Sequence, residues 1–535
     1  MGETGTPPKP KALVSLGRGT MTLVVTTALL FLFNFIGRVA VARAFGDSNW
    51  GLFSLGLALT QVFVLVGLLG LHQASARMLS FERDPAVRWT IVRWTLSLTM
   101  LAAVLGSVLT FVFAPELAGL FANGANAGQL PELTVVFQMF SITIGFSLMS
   151  LFLAALFQGF EDATPNGWFN QALNPGLFVV FVFLFIVLHL HFFGSLLAYV
   201  LANALALTAL ALYTWRRLPR HLPRPTTPTP TRPPKQLWEL SFSLWGVSAL
   251  AFVTAYVDTI ILGIYYPSNV VGWYSSAIVL ARLLLVGSGA LTYIFLPVTA
   301  RLAAEGDLES VRSTYVTSTR WILVVTVPLF LLFAFMPGAS LSAVFGGSFV
   351  NGAAALEIIT WGSLVSVAIG PVNAALAGLG RSRLLLVCTA ASAVSNLVLS
   401  FTLIPRFGII GASVAWTVAR VVYPALGLYA LYTTAGVSPA RRSLLAPLTL
   451  SLAIGIPLFA LVNLLALPAW VVFPMYFVGV GVFLLSMFAT RSVDSGDLMA
   501  ASAVERILGR PLPRLREFLE RFIRTEGVPR AAAPP

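Results

Sequence analysis

Apolar runs of about twenty residues recur along almost the whole chain. A helix needs about 20 such residues to cross the roughly 30 Å hydrocarbon core of a membrane. Each run therefore predicts a transmembrane helix, and the chain is expected to be an all-α, polytopic membrane protein. The fourteen predicted spans are residues 21–44, 50–71, 90–114, 133–157, 166–188, 193–215, 242–265, 270–298, 318–337, 352–376, 384–404, 409–432, 445–466 and 468–489.

The composition excludes most soluble functions. Only 10% of the residues are charged, against roughly 25% in an average soluble domain. The net charge of +13 does not indicate nucleic acid, because the basic residues lie in short segments between apolar runs. Gly378-Leu-Gly-Arg-Ser-Arg is an inner turn and not a nucleotide-binding loop. The sequence therefore predicts no cofactor and no catalytic centre.

The basic residues also predict the orientation of the helices. With the N-terminus in the cytoplasm, 28 of the 33 Lys and Arg fall on the inner side and only Arg43 and Arg406 on the outer side. Inner loops of membrane proteins carry such an excess of positive charge. The bias predicts a multi-pass cell-membrane protein with fourteen spans and both termini in the cytoplasm.

The longest inner connection is rich in proline and divides the chain. So many prolines favour an extended, semi-rigid segment over a helix. The predicted parts are an N-terminal cytoplasmic segment (1–20), a first lobe of six helices (21–215), the linker (216–236), a second lobe of six helices (237–432), two appended helices (445–489) and a cytoplasmic tail (491–535). The tail carries an amphipathic pattern, which suits either a helix on the inner leaflet or one packed on inner loops.

A weak internal repeat supports the two lobes. A shift of 221 residues places Gly51-Leu-Phe-Ser on Gly272-Trp-Tyr-Ser. Six helices are an even number, so both lobes keep the same orientation. The repeat is therefore expected to be parallel, with an axis along the membrane normal.

A few charged residues fall inside the predicted spans, where charge is costly and usually faces a cavity or a partner. They are Arg38, Asp258, Arg282, Glu357 and Arg420. The cationic balance favours a phosphate or diphosphate ligand, because a guanidinium group matches phosphate geometry. Local pairing or snorkelling is the alternative for each, above all for Glu357 and Arg420.

Arg38 and Asp258 form the most informative pair. Under the same shift Arg38 falls on Thr259, next to Asp258. Each lies about 10 Å below the predicted outer end of its helix at 1.5 Å per residue. The hypothesis is that the two charges close the outer half of a cavity when it faces inward. Asp258 and Glu357 are also candidates for binding a coupling ion.

Uncharged polar residues add to the expected lining. Asn34 and Gln61 are the candidates for substrate contact, although an interhelical hydrogen bond is the alternative for every such residue. Asn174-Pro175-Gly176 is expected to kink the fifth helix, since proline removes a backbone hydrogen bond. His189 and His191 would diverge on a helix, so no metal site is predicted there.

Several segments resemble one known family. Residues 38–57 (RVAVARAFGDSNWGLFSLGL) resemble the opening of polysaccharide flippases, and 257–277 resemble their seventh helix with its acidic residue. Residues 295–307 and 375–386 resemble the end of their eighth helix and the inner turn after their tenth. The chain thus resembles the polysaccharide biosynthesis, or oligosaccharide flippase, family of the multidrug and oligosaccharidyl-lipid exporter superfamily.

The resemblance implies a function that composition alone does not. It implies two six-helix lobes around a central cavity. It also implies that the protein moves a polyprenyl phosphate- or diphosphate-linked glycan from the inner to the outer leaflet by alternating access. It supports Arg38 and Asp258 as cavity residues. The implied partners are the glycan lipid, membrane lipids, and glycan polymerase or glycosyltransferase machinery. The alternatives are a lipid II flippase, a multidrug exporter of the same superfamily and, least favoured, a membrane glycan polymerase or glycosyltransferase.

Overall fold

The computed structural model describes residues 10–121, 128–223, 225, 228–438, 441–465 and 467–492. Every regular element in these ranges is helical. The predicted amphipathic tail lies outside the described residues. The all-α, polytopic prediction is confirmed, because twelve helical stretches of the described chain are long and apolar enough to cross a membrane.

Two of the twelve stretches are double spans. One covers 44 residues and the other 54, or about 66 and 81 Å at 1.5 Å per residue, more than twice the hydrocarbon thickness. Each contains one residue with non-helical backbone angles, Gly46 (φ 83°) and Gly408 (φ 55°). Glycine adopts positive φ without the steric cost that a Cβ atom brings. Each glycine therefore joins two spans, which makes fourteen.

We number the spans α1 to α14. They are α1 (10–45), α2 (47–68), α3 (Pro85–Val112), α4 (Leu130–Gly159), α5 (Asn166–Val187), α6 (His191–His221), α7 (Lys235–Tyr265), α8 (Ser268–Ala304), α9 (Leu308–Phe335), α10 (Gly347–Gly378), α11 (382–407), α12 (409–435), α13 (Arg442–Leu464) and α14 (Ala469–Ala489). The first helix begins at Pro10, inside the segment predicted to precede it. Short helices lie at Leu71–Phe81, Ala114–Phe121 and Pro337–Phe345.

The predicted irregularity in α5 takes the form of a π-helical segment. Residues Asn166–Leu173 form a π-helix, and an α-helix follows from Asn174 to Val187. Pro175 stands in the first turn of this second part, where its missing N–H costs least. The change of helix type at Asn174 lets the span continue past the proline.

The chain forms two compact units by its internal contacts. The first contains Met1–Ser275 and Ser400–Ala412, and the second contains Ser276–Leu399 and Ser413–Pro535. The first unit thus includes α7, which the linker-based division assigns to the second lobe. The division into lobes at the linker remains a prediction.

The linker lies against α3. The Trp89 indole N–H donates to the Pro223 carbonyl (2.7 Å), and the Trp94 indole N–H donates to the Thr231 carbonyl (3.0 Å). The Thr90 hydroxyl donates to the Pro230 carbonyl (3.1 Å). An extended proline-rich chain has no internal hydrogen bonds, so these side chains supply the partners that its carbonyl groups need.

The start of α2 and the start of α8 cross at two glycines. A Cβ atom on Gly51 would overlap the carbonyl oxygen of Ser268, and one on Gly272 would overlap the carbonyl oxygen of Asp47. Asp47 and Ser268 are themselves 221 residues apart, as Gly51 and Gly272 are. The contact is therefore reciprocal, as a twofold relation between the two repeats requires.

This crossing generates a test of the packing. Gly51→Ala and Gly272→Ala are each expected to lower the free energy of unfolding by about 1–3 kcal/mol, because the backbones must move apart. Thermal unfolding of the purified protein measures the change. Gly246→Ala on α7 is the matched control, since a Cβ atom there meets nothing within 4 Å. Equal melting temperatures for all three variants would contradict the crossing.

Candidate functional site

The acidic residue predicted for the cavity is fully enclosed. Asp258 lies on α7 with 1% of its surface exposed. The Tyr274 hydroxyl, from α8, donates to its Oδ2 atom. Its Oδ1 atom accepts from the Thr259 backbone N–H (2.7 Å) and from the Thr259 hydroxyl (3.4 Å). A buried carboxyl group needs such donors to offset the loss of water. The place where α7 and α8 meet, which we call the α7–α8 corner, therefore holds the Asp258 carboxyl group in a fixed position.

The corner between α7 and α8 is also joined to α2. The Trp273 indole N–H donates to the Asp47 carboxylate at 2.7 Å. The other oxygen of Asp47 accepts from the Ser48 backbone N–H at 2.9 Å. Trp273 and Tyr274 are neighbours in sequence, so one segment of α8 contacts both Asp47 and Asp258.

Arg38 lies in α1, partly buried, and interacts electrostatically with the hydroxyl group of Tyr199 on α6. Tyr256 of α7 lies near the same hydroxyl group. The ring of Tyr199 packs on Phe53, Phe140 and Phe178, with centroids 5.2–5.7 Å apart. This aromatic packing holds the phenol in place, so α1, α6 and α7 bring polar groups together in the first unit.

Two further predicted residues lie in the same unit. The Asn34 side-chain amide donates to the carbonyl of Leu30 at 2.9 Å, one turn earlier in its own helix. Gln61 lies on α2 and lines a cavity of about 300 Å³. Asn174 donates to the side chain of Asn203 at 3.0 Å, which is an interhelical hydrogen bond of the kind expected for such residues.

The remaining intramembrane charges lie in the second unit. Arg282 is partly buried on α8, and Glu357 is exposed on α10. The guanidinium of Arg420 stands over the ring of Trp416 at 5.0 Å, a cation–π contact. The roles of these residues in binding or ion coupling remain predictions.

One buried charge escaped the sequence analysis. Arg320 is fully buried in α9 and donates to the Ser492 carbonyl just beyond α14. A cation at the C-terminal end of a helix satisfies its last carbonyl groups and its dipole. The predicted span begins at residue 318, so the sequence places Arg320 near its inner end. In the structure α9 begins ten residues earlier, at Leu308, and Arg320 lies inside the helix. Arg320 therefore fixes the end of α14.

The histidines at the end of α5 do not lie on a continuous helix. The helix ends at Val187, His189 (φ 55°) lies in the turn that follows, and His191 (φ 43°) is the first residue of α6. Both line a pocket of about 580 Å³ with Glu132 and Phe192. The expectation that they diverge on a helix was wrong. In the described ranges no three His, Cys, Asp or Glu side chains are grouped as metal ligands would be.

Two solved membrane proteins have the same fold as this chain. A lipid II flippase, MurJ, in an inward closed conformation matches 92% of this chain and all of its own, with a TM-score of 0.65 at 14% identity. An inward-facing multidrug resistance transporter of the MATE family matches 76% of this chain and 96% of its own, with a TM-score of 0.62 at 14% identity. The chain therefore shares its fold with both proteins.

Sequence comparison then identifies the family. The model of the polysaccharide biosynthesis protein family matches residues 16–303, more than half of the chain. The chain belongs to this family, and the resemblance noted in the sequence is confirmed.

Curated relatives agree with this assignment. A protein of Shigella flexneri named as an O-antigen transporter is 20% identical over 78% of this chain and 95% of its own. A protein of Haloferax volcanii named as a low-salt glycan biosynthesis flippase is 24% identical over 30% of this chain and 34% of its own. An uncharacterized membrane protein of Methanocaldococcus jannaschii is 23% identical over 71% of this chain and 76% of its own.

His72 provides a pH-dependent prediction. It lies in the short helix Leu71–Phe81, where burial lowers the pKa of its imidazole from 6.5 to about 4. In the unfolded chain the His72 imidazole binds a proton below pH 6.5, whereas in the folded protein it binds one only below about pH 4. The free energy of unfolding is therefore expected to fall by about 3 kcal/mol as the pH drops through this window.

The variant His72→Gln tests this prediction. Its melting temperature is expected to lose much of the dependence on pH between 6.5 and 4, as followed by thermal unfolding in detergent. The control His189→Gln changes an exposed histidine on the turn between α5 and α6 and is expected to keep the wild-type dependence. Identical pH profiles for His72→Gln and the wild type would show that the proton binds elsewhere.

Proposed function

We propose that this protein is a flippase that moves a polyprenyl phosphate- or diphosphate-linked oligosaccharide from the inner to the outer leaflet by alternating access. The proposal rests chiefly on the position of Arg38 in a membrane-spanning helix. A guanidinium group inside the membrane-spanning part, near the hydroxyl group of Tyr199, offers a charged donor suited to phosphate. The family and the names of two relatives support a glycan lipid as the substrate.

We place the protein in the cell membrane with both termini in the cytoplasm, as the charge bias favours. Its substrate is then supplied by glycosyltransferases at the inner face and used by glycan polymerase machinery at the outer face. The protein itself is proposed to be a transporter and not an enzyme. Asp258 and Glu357 are the proposed sites for a coupling ion.

The corner formed by Asp47, Asp258, Trp273 and Tyr274 supports a role in gating. We propose that Arg38 and Asp258 hold the outer half of the pathway closed and that the two charges separate when it opens. The hydrogen bonds of Asp258 to the α7–α8 corner fit this role. A pathway lined by Arg38 would also disfavour the lipophilic cations typical of multidrug export.

Charge variants test the proposal directly. Arg38→Ala and Asp258→Ala are each expected to reduce the transport of a short-chain lipid-linked sugar in proteoliposomes by about tenfold or more, since a lost charge-assisted contact costs about 1.4 kcal/mol or more. A double variant, Arg38→Asp with Asp258→Arg, is expected to recover part of the activity if the two charges act as a pair.

The matched control is Arg406→Ala, which removes an exposed arginine at a predicted outer end. It is expected to transport at the wild-type rate. Full activity in both single variants would rule out the proposed gate. Binding of lipophilic cations without binding of a polyprenyl diphosphate sugar would favour the multidrug exporter instead.

A further inference from the structure

A cavity of about 300 Å³ lies between α2 and α7 in the first unit. We call it the α2–α7 niche. Gln61 and Leu65 line it from α2, and Ala251, Phe252 and Tyr256 line it from α7. His72, just beyond α2, closes its predicted inner end. It extends over the stretch from Trp245 to Tyr256, or about 17 Å along α7.

Close contacts on either side of the niche keep it open. Towards the predicted outer end, Gly263 of α7 packs directly on the side chain of Leu55 of α2. Towards the inner end, Gly70 packs on the backbone at Ser241, whose hydroxyl donates to the Leu69 carbonyl at 2.6 Å. The two helices are in contact at both ends of the niche, and within it the Trp245 indole N–H donates to the Leu65 carbonyl at 3.1 Å. The small residues Ala251 and Ala255, one turn apart on α7, face this space.

The walls are mainly hydrocarbon, with unused polar groups at the edges. The Gln61 amide and the Tyr256 hydroxyl make no hydrogen bond with any described residue. The Nδ1 atom of His72 is buried and also lacks a hydrogen-bond partner within the described part of the chain. Since burial lowers the pKa of His72 to about 4, this imidazole is neutral at physiological pH. The niche therefore suits an uncharged, mostly apolar group with a few polar contacts.

The outer end of the niche leads to a cation. Tyr256 lies near Tyr199 of α6, and Tyr199 lies near Arg38 of α1. A ligand that follows the niche from His72 to Tyr256 thus passes from an apolar channel to a guanidinium group. The chemistry that matches both ends is a hydrocarbon chain that carries a phosphate at one end.

We propose that the α2–α7 niche binds the part of a polyprenyl chain next to its phosphate, with the phosphate towards Arg38. The proposal rests on the function proposed above and adds the location of the lipid portion of the substrate. A cavity of about 300 Å³ lies at the small end of ligand pockets. It therefore holds the first isoprene units, and the rest of the chain extends into the bilayer.

Filling the niche tests the proposal. Ala251 is exposed to the niche, so Ala251→Phe adds a ring there without changing the buried core. The binding of farnesyl phosphate to the full-length protein in phosphatidylcholine nanodiscs is expected to weaken by about tenfold or more. The matched control is Val247→Phe, which adds a ring at an exposed position of the same helix outside the niche. It is expected to bind as the wild type does.

Binding of farnesol, which lacks the phosphate, distinguishes the contribution of the niche from that of Arg38. Ala251→Phe is expected to weaken the binding of both farnesol and farnesyl phosphate. Arg38→Ala is expected to weaken only the binding of farnesyl phosphate, because farnesol has no charge to lose. Equal binding of both probes to Ala251→Phe and the wild type would overturn the proposal.

Photolabelling covers the case in which Ala251→Phe does not fold. A diazirine analogue of farnesyl phosphate is expected to label the wild-type protein within residues 61–72 or 245–256. Labelling elsewhere only, or complete displacement by an equal concentration of phosphatidylglycerol, would assign the niche to bulk lipid and overturn the proposal. If the niche binds farnesyl phosphate but the protein moves no glycan lipid, the proposed binding site is supported and the proposed flippase function is contradicted.

Discussion

The absence of water in the hydrocarbon core is the constraint from which the rest of this structure follows. Each backbone N–H and C=O group must find a partner within the protein, which leaves helices as the only open-chain solution. Breaks in a helix are then confined to places that carry little cost. Gly46 and Gly408 turn the chain between spans, and the π-helical segment before Asn174 absorbs a proline without ending the span.

The same constraint decides where charge is found. Asp258 is surrounded by donors from its own helix and from α8, and Arg320 is buried against a helix end that needs a cation. Specific hydrogen-bond partners therefore offset the cost of burying Asp258 and Arg320. Arg38 is partly buried in the first unit, near the phenol group of Tyr199 on α6. Its charge inside the membrane-spanning part is the basis for the proposal that it binds the substrate.

The sequence predicts the helices well because hydropathy and charge bias report directly on the surrounding lipid. Even the two pairs of spans that run together as continuous helices appear in the sequence as separate apolar runs. The shift of 221 residues also leads from Gly51 to Gly272, whose mutual contact is visible only in three dimensions. The positions of the helices are accessible because each depends on local sequence, whereas the contact between the two glycines is not.

Side-chain partners are less accessible from the sequence. Tyr274 and Trp273 carry no signal that they contact Asp258 and Asp47, because those contacts depend on how α2, α7 and α8 pack. Hydropathy placed Arg320 at a helix end, since the extra turns of α9 are too polar to count as a span. The turn at His189 and the niche beside Gln61 depend likewise on where helices stop or separate, which a pattern of apolar residues does not record.

The most direct test of the central claim is a leaflet-exposure assay on the wild-type protein. Liposomes would carry a short-chain polyprenyl diphosphate sugar, and an impermeant reagent would report how much of it reaches the opposite leaflet, with and without a proton or sodium gradient. We expect exposure to rise well above that in protein-free liposomes. Exposure equal to the protein-free level under every gradient would contradict the account.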